Sequence, residues 1–275
     1  MTVTMTPPIN AATAGPPDGT TSPQGQALVF MGVQASVEPF EQQRFEALAD
    51  HTGQQITFVD APGWGHGGML TRMQRADLRH GVFDSVAGPM VSAAIERTPA
   101  LATGPATVVG YSMGASLAAA AAASSDIQVD TMILIEPVGI RRWNPLSLLG
   151  AVRHEDQFTD TYLARNPTGS WEPWDRRGEA PPPHKWSDLA TLGWAISRGR
   201  IGDDLERAAT RGAPRKLHII RADSSRLCRR QDVERLASRA EGLGIHTTCH
   251  TIAGHHPVWQ SVPDVIEMAK LLEQG

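Results

Sequence analysis

Between Ala106 and Ala123 the sequence reads ATVVGYSMGASLAAAAAA, and its character changes at one serine. Ahead of Ser112 stand Thr107, Val108, Val109 and Tyr111, which suit a pleated, buried strand. Behind it runs an alanine-rich stretch with the strongest intrinsic preference for helix. A strand that passes into a helix without an intervening loop is a βα unit. Such units build parallel sheets covered on both faces. This one junction therefore restricts the chain to the α/β class.

Other segments agree. ALVFMGV (27–33), QITFVD, TMILIEP, KLHIIRA and IHTTCHTIA are short apolar runs of strand length. Between the first two, Phe40, Phe45, Leu48 and Ala49 recur at helical spacing, and Gly53 stops the pattern. Thr71–Thr98 is expected to hold one or two helices, and further helices follow the last two strands around 232–241 and 262–272. The resulting expectation is a mostly parallel sheet of about six strands with helices on both faces.

Two regions depart from this rhythm. Residues 1–26 are rich in Thr, Pro and Gly and are expected to form a flexible leader, having too few apolar groups to pack. From 138 to 212 there is no strand pattern. Trp143, Trp171, Trp174, Trp186 and Trp194 fall there, and prolines 181–183 divide it. This segment is expected to be a helical lid inserted between core segments 27–137 and 213–275. Its Arg141-Arg142-Trp143 run offers a contact for a substrate anion, or simply a solvated arginine pair.

Composition sets outer limits. The 275 residues carry a net charge of −4 without any basic block, which argues against nucleic acid as a partner. No stretch approaches the roughly 20 apolar residues of a membrane helix, and the N-terminus lacks the pattern of a signal peptide. Two cysteines, Cys228 and Cys249, are too few for a disulfide framework. A cytoplasmic protein acting on a small molecule is expected; the oligomeric state is left open.

Gly110-Tyr111-Ser112-Met113-Gly114 fits G-x-S-x-G, in which a sharp strand-to-helix turn presents a serine hydroxyl above the sheet. A helix N-cap serine is the plainer reading of the same residue. With its strand and helix in place, the chain from Ala27 onward resembles the α/β-hydrolase family. VDAPGWGHG (59–67) is similar to that family's turn after the second of these strands, with Gly67 where serine is usual. FMGVQAS occupies the place of its oxyanion loop, with Met31 in place of histidine. The resemblance implies that Ser112 is a nucleophile and that the backbone N–H groups of Val33 and Met113 form an oxyanion hole. No glycine-rich dinucleotide fingerprint appears, and no cofactor is implied.

A serine hydroxyl needs a base. The resemblance places it in AGHHPVW, after the last strand, where His255 follows Gly254 and is expected to be the base, with His256 lining the pocket. A metal reading would join His66, His250, His255 and His256, but no acidic or cysteine partner stands at a recognised spacing; no metal is expected. The acid departs from the family pattern. Ser225 stands where the carboxylate is usual, with Asp223 two residues early. Glu136 ends the apolar strand TMILIEP and is costly to bury unless it is paired. Glu136 is the expected acid; Asp223, or a Ser–His pair with no acid, are the alternatives. The expected chemistry is hydrolysis of an ester-like bond through an acyl-enzyme. A thioesterase, lactonase, amidase or acyltransferase would use the same residues, and a non-catalytic binding protein would keep the fold without them.

Overall fold

The structure is a computed structural model and describes residues 9–15, 24–33, 35, 37–167, 178–180 and 184–273. Seven strands form one sheet: β1 (Ala11–Ala14), β2 (Gly25–Phe30), β3 (Gln54–Val59), β4 (Pro105–Tyr111), β5 (Gln128–Ile135), β6 (Lys216–Ala222) and β7 (His246–Ile252), in the spatial order β1-β3-β2-β4-β5-β6-β7. All neighbours are parallel except β1, which runs antiparallel to β3 with Ala11 opposite Val59 and Ala14 opposite Ile56.

The edge strand β1 corrects the expectation of a wholly flexible leader. Its AATA sequence has little apolar surface, so composition gave no sign of it. The sheet edge supplies what the side chains lack: β3 offers an unpaired row of backbone groups, which small residues can meet without steric cost. Beyond the strand, Asp60 N–H donates to the Asn10 carbonyl at 3.0 Å.

Two apolar layers flank the sheet. On one face Leu28, Val108, Leu134 and Ile219 meet α3 (Asp84–Arg97), α4 (Gly114–Ser124), α8 (Ile201–Ala209) and α9 (Arg230–Gly242). On the other, Val29, Phe58, Ile133 and Ile220 meet α1 (Pro39–Thr52) and α10 (Val262–Glu273). Helix α4 is buried on every side from Gly114 to Ala123, wedged between the sheet, α3 and α8. Alanine is what permits that closeness, since a larger side chain would hold the neighbouring layers apart.

The 138–212 segment contains α5 (Pro145–Asp156), α6 (Thr159–Leu163), α7 (Trp186–Ser197) and α8. Helix α8 packs against α4 and α9 as part of the core layer. Helix α7 lies on α5 and on α2 (Arg72–Arg79). The buried Asp188 of α7 accepts from Leu70 N–H at 3.0 Å and from Arg75 Nε at 2.8 Å. Trp143 is buried, with the Arg141 guanidinium over its ring and Arg141 Nε 3.3 Å from Asp232, so this arginine serves packing. Trp171, Trp174 and prolines 181–183 lie outside the described residues. Among the described residues no helix is long and apolar enough to cross a membrane.

Candidate active site

The strand order reverses between β2 and β4, whose chain neighbours depart to opposite sides. A crevice opens there at the carboxyl ends of the strands, the usual ligand position in an open α/β sheet. Ser112 stands on it, between β4 and α4. Its φ is +55°, a conformation rarely adopted by a residue with a side chain. Gly110 and Gly114 make the turn possible. A Cβ on Gly110 would lie 2.6 Å from the Ala115 Cα, and one on Gly114 would collide with the Phe30 carbonyl. The Ser112 N–H continues the sheet by donating to the Ile135 carbonyl at 2.9 Å.

Glu136 repeats this device one strand away. It follows β5 directly, has φ +48°, and donates its N–H to the Ile220 carbonyl at 2.8 Å. Among the described residues, Ser112 and Glu136 are the non-glycine residues with positive φ. Each such conformation costs on the order of 1–3 kcal/mol and persists where the surroundings enforce it, typically at functional sites.

His256 joins the two. Its Nε2 lies 3.0 Å from Ser112 Oγ and its Nδ1 lies 2.8 Å from Glu136 Oε2. Glu136 is fully buried and also receives the Ala222 N–H on Oε1 and the Ser225 hydroxyl on Oε2, each at 2.5 Å. Ala222 N–H and the Ser225 hydroxyl, which itself accepts from Cys228 N–H, both donate to Glu136, so the carboxylate is placed to accept from His256 as well. With Nδ1 donating to it, Nε2 is the nitrogen left to accept from Ser112. The Tyr111 hydroxyl donates to the His256 carbonyl at 3.2 Å, and the two rings stack. Burial pushes that phenol far above its ordinary range, so it remains a donor.

The histidine brought to Ser112 is thus His256, where the sequence pointed to His255. The backbone at His255 is extended (φ −117°, ψ 172°), so adjacent side chains point to opposite sides. His255 turns away and stacks on Phe158 with ring centroids 3.5 Å apart. His256 opens the short helical turn His256–Gln260 and faces the crevice. Nothing in Gly-His-His-Pro distinguishes the two; only the register of the turn does.

Asp223 lies elsewhere. Its exposed carboxylate accepts from Gly254 N–H and Ser224 Oγ, both at 2.9 Å, and these bonds hold its pKa below the usual range. Two supporting residues were missed as such. Ser225, in the position where the carboxylate is usual, donates its hydroxyl to Glu136 instead. Glu155, on α5 and buried, accepts from His256 N–H at 3.0 Å and Arg226 N–H at 2.7 Å. Its place in the helix pattern carries no signal of this.

Ser112 and His256 open into a cavity of about 710 Å³. Leu148, Leu149 and Val152 of α5, Leu163 of α6 and Trp186 and Trp194 of α7 line it, as does Val33 after β2. Gly32 lies against Ser112, where a Cβ would come within 3.3 Å of the serine Cβ, so this loop passes beside the hydroxyl. The charged residues among the described lining are Glu38, Glu41, Glu155 and Asp156; none is Lys or Arg. Among the described residues neither His66 nor His250 joins His255 and His256 in a group that could hold a metal ion; His250 pairs with His218 across β6 and β7, with 3.3 Å between ring nitrogens.

Residues 32–268 match the model of the alpha/beta hydrolase family. The chain belongs to that family. No curated protein matches it in sequence. Among solved structures, this α/β hydrolase is similar to the thioesterase domain of a curacin biosynthetic pathway (16% identity, 97% of this chain and 95% of the other covered, TM-score 0.61). It is also similar to a thermophilic esterase from Thermogutta terrifontis (13% identity, 97% and 92% covered, TM-score 0.62). A third such structure is an N-formylmaleamic acid deformylase from Pseudomonas putida (17% identity, 94% and 95% covered, TM-score 0.62). At these identities the likeness establishes the fold, and the α/β-hydrolase expectation holds, with a sheet of seven strands.

Proposed function

We propose that this α/β hydrolase is a serine hydrolase cleaving an ester-like bond of a small, largely apolar substrate through an acyl-enzyme. The observation that carries the reading is the continuous hydrogen-bonded series Ser112–His256–Glu136 at the floor of an apolar cavity. Ser112 Oγ attacks the carbonyl carbon while His256 Nε2 takes its proton. Glu136 keeps the imidazole in the required tautomer and stabilises the imidazolium that forms. The developing oxyanion is met by the N–H groups of Val33 and Met113, whose role does not depend on their side chains. His256 then protonates the leaving group and activates the water that clears the acyl group. Helices α5–α7 act as the lid, and the apolar surfaces of Leu148, Val152 and Trp194 take the acyl or alcohol portion. Among the described residues the lining carries carboxylates and neither Lys nor Arg, which disfavours anionic substrates.

A fluorophosphonate probe tests the mechanism: it should label Ser112 stoichiometrically and abolish hydrolysis of short p-nitrophenyl esters. Labelling that persists in Ser112→Ala would refute the assignment. Thioesters and lactones present the same carbonyl, so a panel of butyryl esters, thioesters and lactones ranks the substrate class by kcat/KM.

A further inference from the structure

Beside the His256 loop lies a cluster whose two histidines the proposed hydrolysis does not use. His154 and Glu155 occupy the last turn of α5, and His255 faces them from the loop after β7. One ligand atom from each lies within 4.8 Å of the others. Glu155 is 1% exposed, and each carboxylate oxygen already receives one backbone N–H. Since each oxygen has two acceptor positions, one remains open on both. His255 Nδ1 lies 3.4 Å from Glu155 Oε2 but makes no hydrogen bond, although the atom is buried. Phe158 fixes the plane of the His255 ring by stacking on it.

We infer that His154, Glu155 and His255 form a zinc site. Two imidazole nitrogens with one carboxylate suit Zn²⁺, whereas Ca²⁺ and Mg²⁺ favour sets made of oxygen. Tetrahedral zinc with ligand distances of about 2.0–2.1 Å holds its ligand atoms roughly 3.4 Å apart. The His255–Glu155 pair already has that spacing, and His154 completes the set by a modest side-chain rotation. Water takes the fourth position. The ion would satisfy the orphaned Nδ1 and cross-link α5 to the loop carrying His256. It would thereby tie the roof of the cavity to the proposed base. The inference stands independently of the hydrolase reading, because it concerns binding and not turnover.

The test uses the full, untagged chain stripped with EDTA and titrated with zinc chloride by calorimetry, with Co²⁺ absorbance as a report of coordination. One equivalent should bind with micromolar or tighter affinity and raise Tm, and Co²⁺ should give the intense visible bands of a four-coordinate site. His154→Ala and His255→Phe should each weaken binding at least tenfold while leaving the Tm of the metal-free protein within a few degrees. The phenylalanine keeps the stack on Phe158. Glu155 is left intact because its loss would release two backbone N–H groups and unfold the loop. Three results would overturn the site: no saturable binding below millimolar zinc, binding indifferent to both substitutions, or binding abolished by His250→Gln, which would move the ion to the His218–His250 pair.

Discussion

A carboxylate enclosed at the end of a central strand is stable only while both its oxygens are engaged, and Glu136 meets that condition with Ala222 on one and Ser225 and His256 on the other. Glu136→Gln turns half of the side chain into a donor facing the Ser225 hydroxyl and the His256 Nδ1–H. It should lower kcat for ester hydrolysis by on the order of 10²–10⁴ with little change in KM. Ser225→Ala removes one of the three donors and should cost a smaller factor, about tenfold. Asp223→Asn should cost at most several-fold, because its carboxylate meets Gly254 and Ser224. Melting curves on the same preparations separate lost catalysis from lost fold; a severe Asp223→Asn beside a mild Glu136→Gln would reverse the assignment. The geometry around Ser112 and Glu136 was legible in the sequence because each is a local event, a glycine-flanked turn and a costly residue on an apolar strand. The choice between His255 and His256 was not legible. It rests on the phase of one turn, set by Trp259 and Val258 packing into the core rather than by either histidine.

At the scale of elements, long apolar strands announce themselves and edge strands do not. β4 and β5 are readable because Ala106–Tyr111 and Met132–Ile135 are buried without a break, which favours near-continuous apolar runs. β1 is held through its backbone, so four small residues suffice and leave no pattern. Removal of residues 1–15 should lower Tm by several degrees, measured by circular dichroism, since it strips the partner from β3 and bares its edge; an unchanged Tm would show that the strand contributes no stability. Asp60, at the turn after β3, sits in the same place. Burial raises its pKa to about 6, outweighing the Val37 N–H at 2.6 Å and the Asn10 amide that favour the ionised form. A carboxyl whose folded pKa exceeds its unfolded one favours folding at low pH, and this contribution is lost as pH rises from about 4 through 6. Asp60→Asn should therefore gain stability relative to the parent across that interval. The buried Asp204, also raised to about 6, cancels from the comparison because both proteins retain it.

For the whole molecule, the roof over the cavity is fastened at separated points: Asp188 binds α7 to the α2 region, and Glu155 binds α5 to the loop of His256. The roof's composition should set selectivity. Neutral p-nitrophenyl butyrate should exceed the monoester of succinic acid in kcat/KM by at least tenfold, and equal rates would show that the carboxylates of the lining are remote from the bound acyl group. Parallel strands, glycine turns and alanine packing made the core readable from the sequence, whereas the roof consists of short helices whose placement depends on single buried carboxylates. The alanine helix carries a consequence in time. With no exposed face between Gly114 and Ala123, α4 has no route to fray while the sheet and its neighbouring helices remain in place. Its amide protons should exchange with deuterium only when the entire domain opens. Mass spectrometry of peptides from this helix would then read the global unfolding free energy directly, while peptides from α5 to α7 should take up deuterium orders of magnitude sooner.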